Sequence, residues 1–333
     1  METIMLNTFI KKDAFADIIT CNPEMFSIFQ YVESVSKNLE PILITGEPGV
    51  GKKLLAKSLH TASKQKGKWI VVNVAGLDDA TFSNVLFGTE SNEGMIKAAK
   101  GGTLLLNEIG GLLPVSQVKL LRLLQQREYE STDNKSQPGD KINITNVRFI
   151  AATEIDLWQL QRKGIFHNDL NAMFRHHHIH ILPLRERPED IPLLINHFLD
   201  KAALAMNKKR PTPPKELFTL LATYSFPENI RELKNMIFDA VRRHKSKVLS
   251  LDVFKYHIDM EHKDIYVPPK LDADDASPFK FFRELPTIKQ ITQLLVEEAM
   301  KRANGNQSIA ARMLGISQPA LSKRLKNASL IAK

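Results

Sequence analysis

Residues 46 to 53 read GEPGVGKK, placed directly after the apolar run Pro41 to Thr45 and directly before the helix-like stretch Leu54 to Leu59. Strand, glycine-rich turn and helix in that order make a phosphate-binding loop. Gly46, Gly49 and Gly51 let the backbone turn tightly and aim successive N–H groups at phosphate oxygens, while Lys52 supplies a point charge and the following helix its positive end. The candidate nucleotide-binding residues are Gly46, Glu47, Pro48, Gly49, Val50, Gly51, Lys52 and Lys53.

Strand-like runs alternate with helical patterns up to about residue 185: Pro41 to Thr45, Trp69 to Val74, Thr103 to Leu106, Val147 to Ala152 and Ile179 to Leu182. Such alternation predicts an α/β fold, a parallel sheet with helices on both faces. From Pro192 to about Ile258 the pattern turns helical, which predicts a small helical subdomain. Residues 264 to 286 carry Pro268, Pro269, Pro278 and Pro286 with Asp272, Asp274 and Asp275, a composition that buries little and suits a tether.

The 333 residues are 43% hydrophobic and 25% charged, ordinary for a globular protein with real cores. The single cysteine, Cys21, rules out a disulfide framework and a cysteine-based metal site, and fits a reducing cytoplasm. No run approaches about twenty uninterrupted apolar residues and no leader signal opens the chain, so neither export nor a membrane role is expected. The formal net charge of +9 favours a polyanionic partner, with nucleic acid the first suspect.

The tail sharpens that suspicion. Thr287 to Ala303 places Ile288, Ile291, Leu294, Leu295 and Ala299 at helical spacing, and Asn304-Gly305-Asn306 stops the helix. Then Gln307 to Leu314 reads as a short helix, Gly315-Ile316-Ser317 as a turn and Gln318 to Leu325 as the next helix, a helix-turn-helix. Ala310 and Ala311 are small where the helices cross, and Ser317 can cap the second helix with Pro319 tolerated in its first turn. Ser317, Gln318, Ser322, Lys323, Arg324 and Lys326 are the candidates for contact with double-stranded DNA. From Thr287 onward eight Lys or Arg face two Glu, a net of +6.

With both ends read, the chain resembles a bacterial enhancer-binding protein of the NtrC type, an AAA+ domain followed by a Fis-type helix-turn-helix. The segments that carry the resemblance are ITGEPGVGKKLLAKSLH (44 to 60), VLFGTE (85 to 90), GGTLLLNEIGGLL (101 to 113), VKLLRLLQQREYE (118 to 130), VRFIAATEIDL (147 to 157), LPLRERPEDIPLLINHFL (182 to 199) and FPENIRELKNMI (226 to 237). The resemblance implies an N-terminal tail at 1–15, an AAA+ α/β core at 16–190, a helical lid at 191–260, a linker at 261–286 and the DNA-binding unit at 287–333. It also implies ATP as cofactor, RNA polymerase as a further partner, and a homodimer or higher oligomer. Arg231 matches the family's sensor arginine.

Several family parts are altered here. The family carries GAFTGA soon after LFGxE, on a loop that touches sigma-54; here Gly88-Thr89-Glu90 runs through SNEGMIKAAK straight to Gly101-Gly102-Thr103. The family's Asp-Glu pair, for magnesium and the attacking water, is Asn107-Glu108. The polar residue after Ala151-Ala152-Thr153, usually Asn, is Glu154, and Lys53 stands where the NtrC type usually has Glu. The two family arginines of FRxDLxxRL correspond to His167 and Met173, with Arg162 and Arg175 nearby. Magnesium is therefore expected to bind weakly or not at all, and hydrolysis to be impaired, with Glu108 as residual catalytic residue and Asn107 and Glu154 as degenerate ones.

The resulting expectation is a cytoplasmic, sigma-54-independent transcription regulator with a nucleotide-binding AAA+ domain. The alternatives are an active sigma-54-dependent ATPase and a regulator responsive to a cyclic dinucleotide. Only about fifteen residues precede the AAA+ match, so input is expected through nucleotide, a partner or expression level. The run His176-His177-His178-Ile179-His180 is read as half-buried strand residues and not as a metal site. Lys208-Lys209-Arg210 is read as a solvated loop.

Overall fold

The structure is a computed structural model that describes residues 13–89, 91–130, 141–144, 146–244, 248–265, 287–303 and 305–329. These residues form strands β1 (Ile42–Thr45), β2 (Trp69–Asn73), β3 (Thr103–Asn107), β4 (Glu128–Glu130), β5 (Lys141–Asn143), β6 (Arg148–Thr153) and β7 (His178–His180). Five of them make one parallel sheet in the order β2-β3-β6-β1-β7, and β4 pairs with β5 as a separate antiparallel ribbon.

Apolar runs without alternation become buried parallel strands because both faces of the sheet are covered. Ile42, Ile44, Leu105, Ile150 and Ala152 pack on one face with Phe29 and Val32 of α1 (Pro23–Val35) and Leu55 and Leu59 of α2 (Lys52–Ser63). Leu43, Leu104, Leu106, Phe149 and Ala151 pack on the other. That second face is covered by α3 (Asp79–Phe87), α4 (Met95–Ala98), α5 (Pro114–Gln126), α6 (Leu157–Arg162) and α7 (Asn168–Arg175) through Phe82, Ile96, Leu120, Leu157 and Phe174. At the start of β6 the fully buried Arg148 donates to the carbonyls of Ser36, at 2.5 Å, and Asn38, just beyond α1. Burial lowers its pKa to about 10, so it remains charged where the carbonyl end of a helix favours a cation.

Register decides which loops meet. Thr45 pairs with Thr153, and Asn107 pairs with Ala152. The phosphate loop after β1, the Asn107-Glu108 turn after β3 and Glu154 after β6 therefore leave the sheet at one edge, where open α/β sheets place their ligands.

Four further helices, α8 (Asp190–Ala205), α9 (Lys215–Ala222), α10 (Asn229–Arg243) and α11 (Asp252–Ile265), close around Leu194, Leu199, Leu217, Leu233, Ile237 and Phe254. Asp13–Phe15 form a 3-10 turn whose Phe15 ring is buried and stacked on Phe29 at 4.5 Å. α11 runs through Ile265, and residues 266–286, most of the expected linker, lie outside the described residues.

The chain divides between Asp264 and Ile265 into two units. In the second, α12 (Ile288–Arg302), α13 (Gln307–Met313) and α14 (Gln318–Ser329) share a small core of Val296, Ala299, Ala310, Ala311 and Leu321. Gly315, at φ 65°, makes the turn between α13 and α14, and the Ser317 hydroxyl accepts the Ala320 N–H at 3.4 Å. Asn306 caps α13 by accepting from Ser308 and Ile309.

Candidate nucleotide site and nucleic-acid interface

Three glycines of the phosphate loop take positive φ: Gly46 at 149°, Gly49 at 74° and Gly51 at 110°. Gly51 caps α2 with no side-chain bond, so the first N–H groups of that helix are left for an anion. Gly49 is also needed sterically, since a Cβ there would lie 1.9 Å from the Glu228 carbonyl oxygen and 2.9 Å from Arg231 Cβ. Gly49→Ala should therefore push the lid off the loop and lower both the melting temperature and nucleotide affinity. A variant with wild-type affinity and melting would contradict this packing.

Lys52 is buried, and its Nζ donates to the carbonyls of Gly46 at 2.8 Å and Glu47 at 3.1 Å. Burial lowers its pKa, with Glu108 and Glu154 opposing that shift and Arg231 adding to it. Lys52 thus lies within electrostatic reach of Glu108, Glu154 and Arg231. Glu108 sits in the left-handed region at φ 58°, which turns the chain sharply off β3, and its carboxylate lies 3.4 Å from the Glu154 N–H. Asn107 ends β3 half-buried, and Lys53 is exposed in the first turn of α2, where an acid would suit the helix better.

Around the loop runs a set of lid contacts that the residue-by-residue reading of the sequence did not assign. Arg185 holds Glu47 with two bonds of 2.7 and 2.6 Å, and this partner chiefly keeps the Glu47 carboxyl below its usual range. Buried Asn229 donates to Glu47 Oε2 at 3.1 Å and to the Pro48 carbonyl at 3.0 Å, while accepting the Leu184 N–H. Arg187, 1% exposed, donates to the Val50 carbonyl at 3.2 Å and pairs with fully buried Asp190 at 3.7 Å. Asp190 in turn accepts from the Thr20 hydroxyl at 2.7 Å and the Cys21 N–H at 2.6 Å. Burial and the Asp190 carboxylate push the Cys21 thiol up to about 11, so it stays protonated.

Beside Gly49–Gly51 lies a cavity of about 330 Å³ walled by Ile18, Ile19, Leu54, Ile181, Phe198 and Ile230. An apolar slot next to a phosphate nest has the shape needed for a nucleobase. Its walls come from five distant segments, which is why sequence spacing did not reveal it.

The positions that correspond to the two family arginines, and Arg175 near them, are engaged locally. His167 caps α7 by accepting the Asp169 N–H at 3.2 Å, and Met173 packs half-buried against the core. The Arg175 guanidinium lies over the Trp158 ring at 4.4 Å. Where the GAFTGA loop was expected to be missing, Thr89 and Asn92 exchange backbone hydrogen bonds of 2.9 and 3.2 Å, and Gly88 bridges Glu93.

The histidine run splits across faces. His177 meets Tyr31 at 2.9 Å and Glu40 at 2.8 Å, while His178 and His180 flank Thr45. In the second unit Ser317, Gln318, Lys323 and Arg324 are exposed on or beside α14; Ser322, expected on the exposed face, is half-buried, and the Lys326 side chain lies outside the described residues.

The Sigma-54 interaction domain model matches residues 18–181, the AAA+ ATPase lid domain model 185–265, and the model for bacterial regulatory proteins of the Fis family 287–327. Regulatory protein AtoC of Escherichia coli (strain K12) is 33% identical over 321 residues, which cover 93% of this chain and 67% of AtoC. The chain belongs to the NtrC/AtoC-type family of sigma-54 activators. The phenol regulator MopR of Acinetobacter guillouiae is 34% identical over 87% of this chain, which spans about half (52%) of MopR. NtrC of Azospirillum brasilense is 28% identical over 93% of this chain and 69% of its own length. The crystal structure of NtrX from Brucella abortus in complex with ATP has the same fold, with a TM-score of 0.67 and 24% identity over 93% of this chain and 69% of that one. Family membership places a DNA-binding helix-turn-helix at 287–327. Among the described residues no helix is long and apolar enough to cross a membrane.

Proposed function

We propose that this family member is a DNA-binding transcription regulator that holds a nucleotide, ATP first, hydrolyses it poorly and works without sigma-54. The observation that carries the reading is the contrast within one site. The glycine nest, Lys52 and the apolar slot are in place, whereas positions 53, 107, 167 and 173 hold Lys, Asn, His and Met. The ATP named with NtrX supports nucleotide binding here.

ATP fits the residues present: loop N–H groups take phosphate oxygens, Lys52 exchanges its own-loop carbonyls for them, and the slot takes the base. A magnesium ion would accompany the phosphates, and it fits less well, because a hard dication wants anionic oxygens and Lys53 brings positive charge instead. The domain layout of core, lid, linker and helix-turn-helix, a dimeric or larger assembly, and action in the cytoplasm complete the proposal.

Binding and hydrolysis measured side by side on the purified chain test it. Saturable ATP binding with negligible turnover supports the reading, and brisk turnover abolished by Lys52→Ala overturns it. A nucleotide panel that includes cyclic dinucleotides identifies the preferred ligand. The match to the Sigma-54 interaction domain favours a second reading, a working sigma-54 activator, for which ATP-dependent open complexes would be the sign.

On DNA, Lys323→Ala and Arg324→Ala should each weaken binding across sequences and lower the slope of log affinity against log salt by about 1. An unchanged slope would remove these residues from the phosphate-contacting face.

A further inference from the structure

A second cavity, of about 560 Å³, opens between the sheet and α6 beside the phosphate loop. Its apolar walls are Leu43, Ile155 and Leu157, and the ring of Trp158 stands among them. Its polar side chains are Thr45, Trp158, Arg162, His178 and His180, with the acids Glu47, Glu154 and Asp156. The Thr45 hydroxyl lies 2.7 Å from His178 Nε2 and 3.1 Å from His180 Nδ1. That leaves His178 Nδ1 and His180 Nε2 without a hydrogen-bond partner among the described residues; because Thr45 has one proton to give, only one of these outer nitrogens donates while both rings are neutral, and the second donates once its ring takes up a proton. Arg162 also lines the cavity with no ion pair among the described residues.

Acids border the same space, but two are already engaged. Glu47 is held by Arg185 and Asn229, and Asp156 caps α6 by accepting the Trp158 and Gln159 N–H groups. Glu154 also lines the cavity, and its charge is felt at Lys52. A guanidinium, two imidazoles and an indole around an apolar floor match a flat ring carrying one negative group, and the volume suits such a molecule.

We propose that this cavity, distinct from the nucleotide slot, binds a small aromatic anion, an aryl phosphate or aryl carboxylate, with Arg162, His178 and His180 taking the anionic group and Trp158 the ring. The histidines would then be ligand contacts on an edge strand. Because Gly46 and Glu47 belong both to this cavity and to the phosphate loop, an occupant would touch the loop.

Phenyl phosphate and benzoate, titrated calorimetrically into the full chain without nucleotide, provide the test, with inorganic phosphate and benzyl alcohol as the two half-ligands. At least one aryl anion should bind saturably and quench Trp158 emission, with both half-ligands much weaker. Arg162→Ala and His178→Ala should each weaken binding about tenfold or more, whereas Lys201→Ala, on the wall of the other cavity, should leave it unchanged. Arg162 is exposed, so its variant should keep the wild-type melting temperature. Absence of saturable binding by either aryl anion overturns the proposal. So does binding that survives Arg162→Ala and His178→Ala, or that Lys201→Ala abolishes, since the last would place the anion in the slot beside Gly49–Gly51. None of these outcomes depends on whether ATP is bound or hydrolysed.

Discussion

Asn107→Asp combined with His167→Arg is expected to raise steady ATP turnover by about 10² or more over the wild-type chain. One preorganised electrostatic group is worth about 10² to 10³ in rate, and an arginine reaching a phosphoryl group is worth about 10³ to 10⁵. The two contributions do not multiply cleanly. The first change would return an anionic oxygen to the end of β3, next to Glu108 in its left-handed turn. The second would send a guanidinium out from the start of α7, where His167 is only half-buried. The cost is the cap that His167 gives the Asp169 N–H, about 1 kcal/mol, which the fold should tolerate. Met173 is the poorer place for an arginine because its side chain packs against the core. If position 167 acts on a neighbouring copy, the gain should grow with protein concentration. Turnover that stays at the wild-type level would show that the deficit lies elsewhere, with Lys53 the next residue to change.

Asp190→Ala is expected to cost about 3 kcal/mol or more and to loosen nucleotide binding at the same time. Asp190 and Arg187 are 0% and 1% exposed, and removing one member of a buried charge pair leaves the other uncompensated. Arg187 Nε already lacks a partner in the interior. The same carboxylate ties Thr20 and Cys21 to the start of α8, and Arg187 reaches the Val50 carbonyl of the phosphate loop. Joint and loop should therefore fail together. Chemical denaturation and ATP titration of the same variant check this: a stability loss under about 1 kcal/mol, or intact affinity, would show that the pair is not the joint described.

Much of this was legible from residues alone, because the signals were local. Gly46, Gly49 and Gly51 sit where only a glycine turns easily, and each takes a positive φ. The helix-turn-helix announced itself through Ala310, Ala311, Gly315 and Ser317, and those residues occupy the crossing, the turn and the cap. What escaped was assembled from distance. The links from Arg185 and Asn229 to Glu47 span 138 and 182 residues, and Thr20 reaches Asp190 across 170. No spacing rule connects such positions. The histidine run shows a different limit: side-chain alternation put His178 and His180 on one face, but only the arrangement of α6 against β1 and β7 shows that this face borders a cavity. Ser322 was misplaced for a smaller reason. It follows Leu321, which is fully buried in the small core, and is half-covered there.

The most direct measurement is an open-complex assay with the purified chain, ATP, sigma-54 holoenzyme and a promoter carrying the chain's own DNA site. A protein that grips DNA and nucleotide without driving the polymerase should occupy its site and yield no ATP-dependent melting above the level without activator. Rapid melting that requires Lys52 would contradict that account.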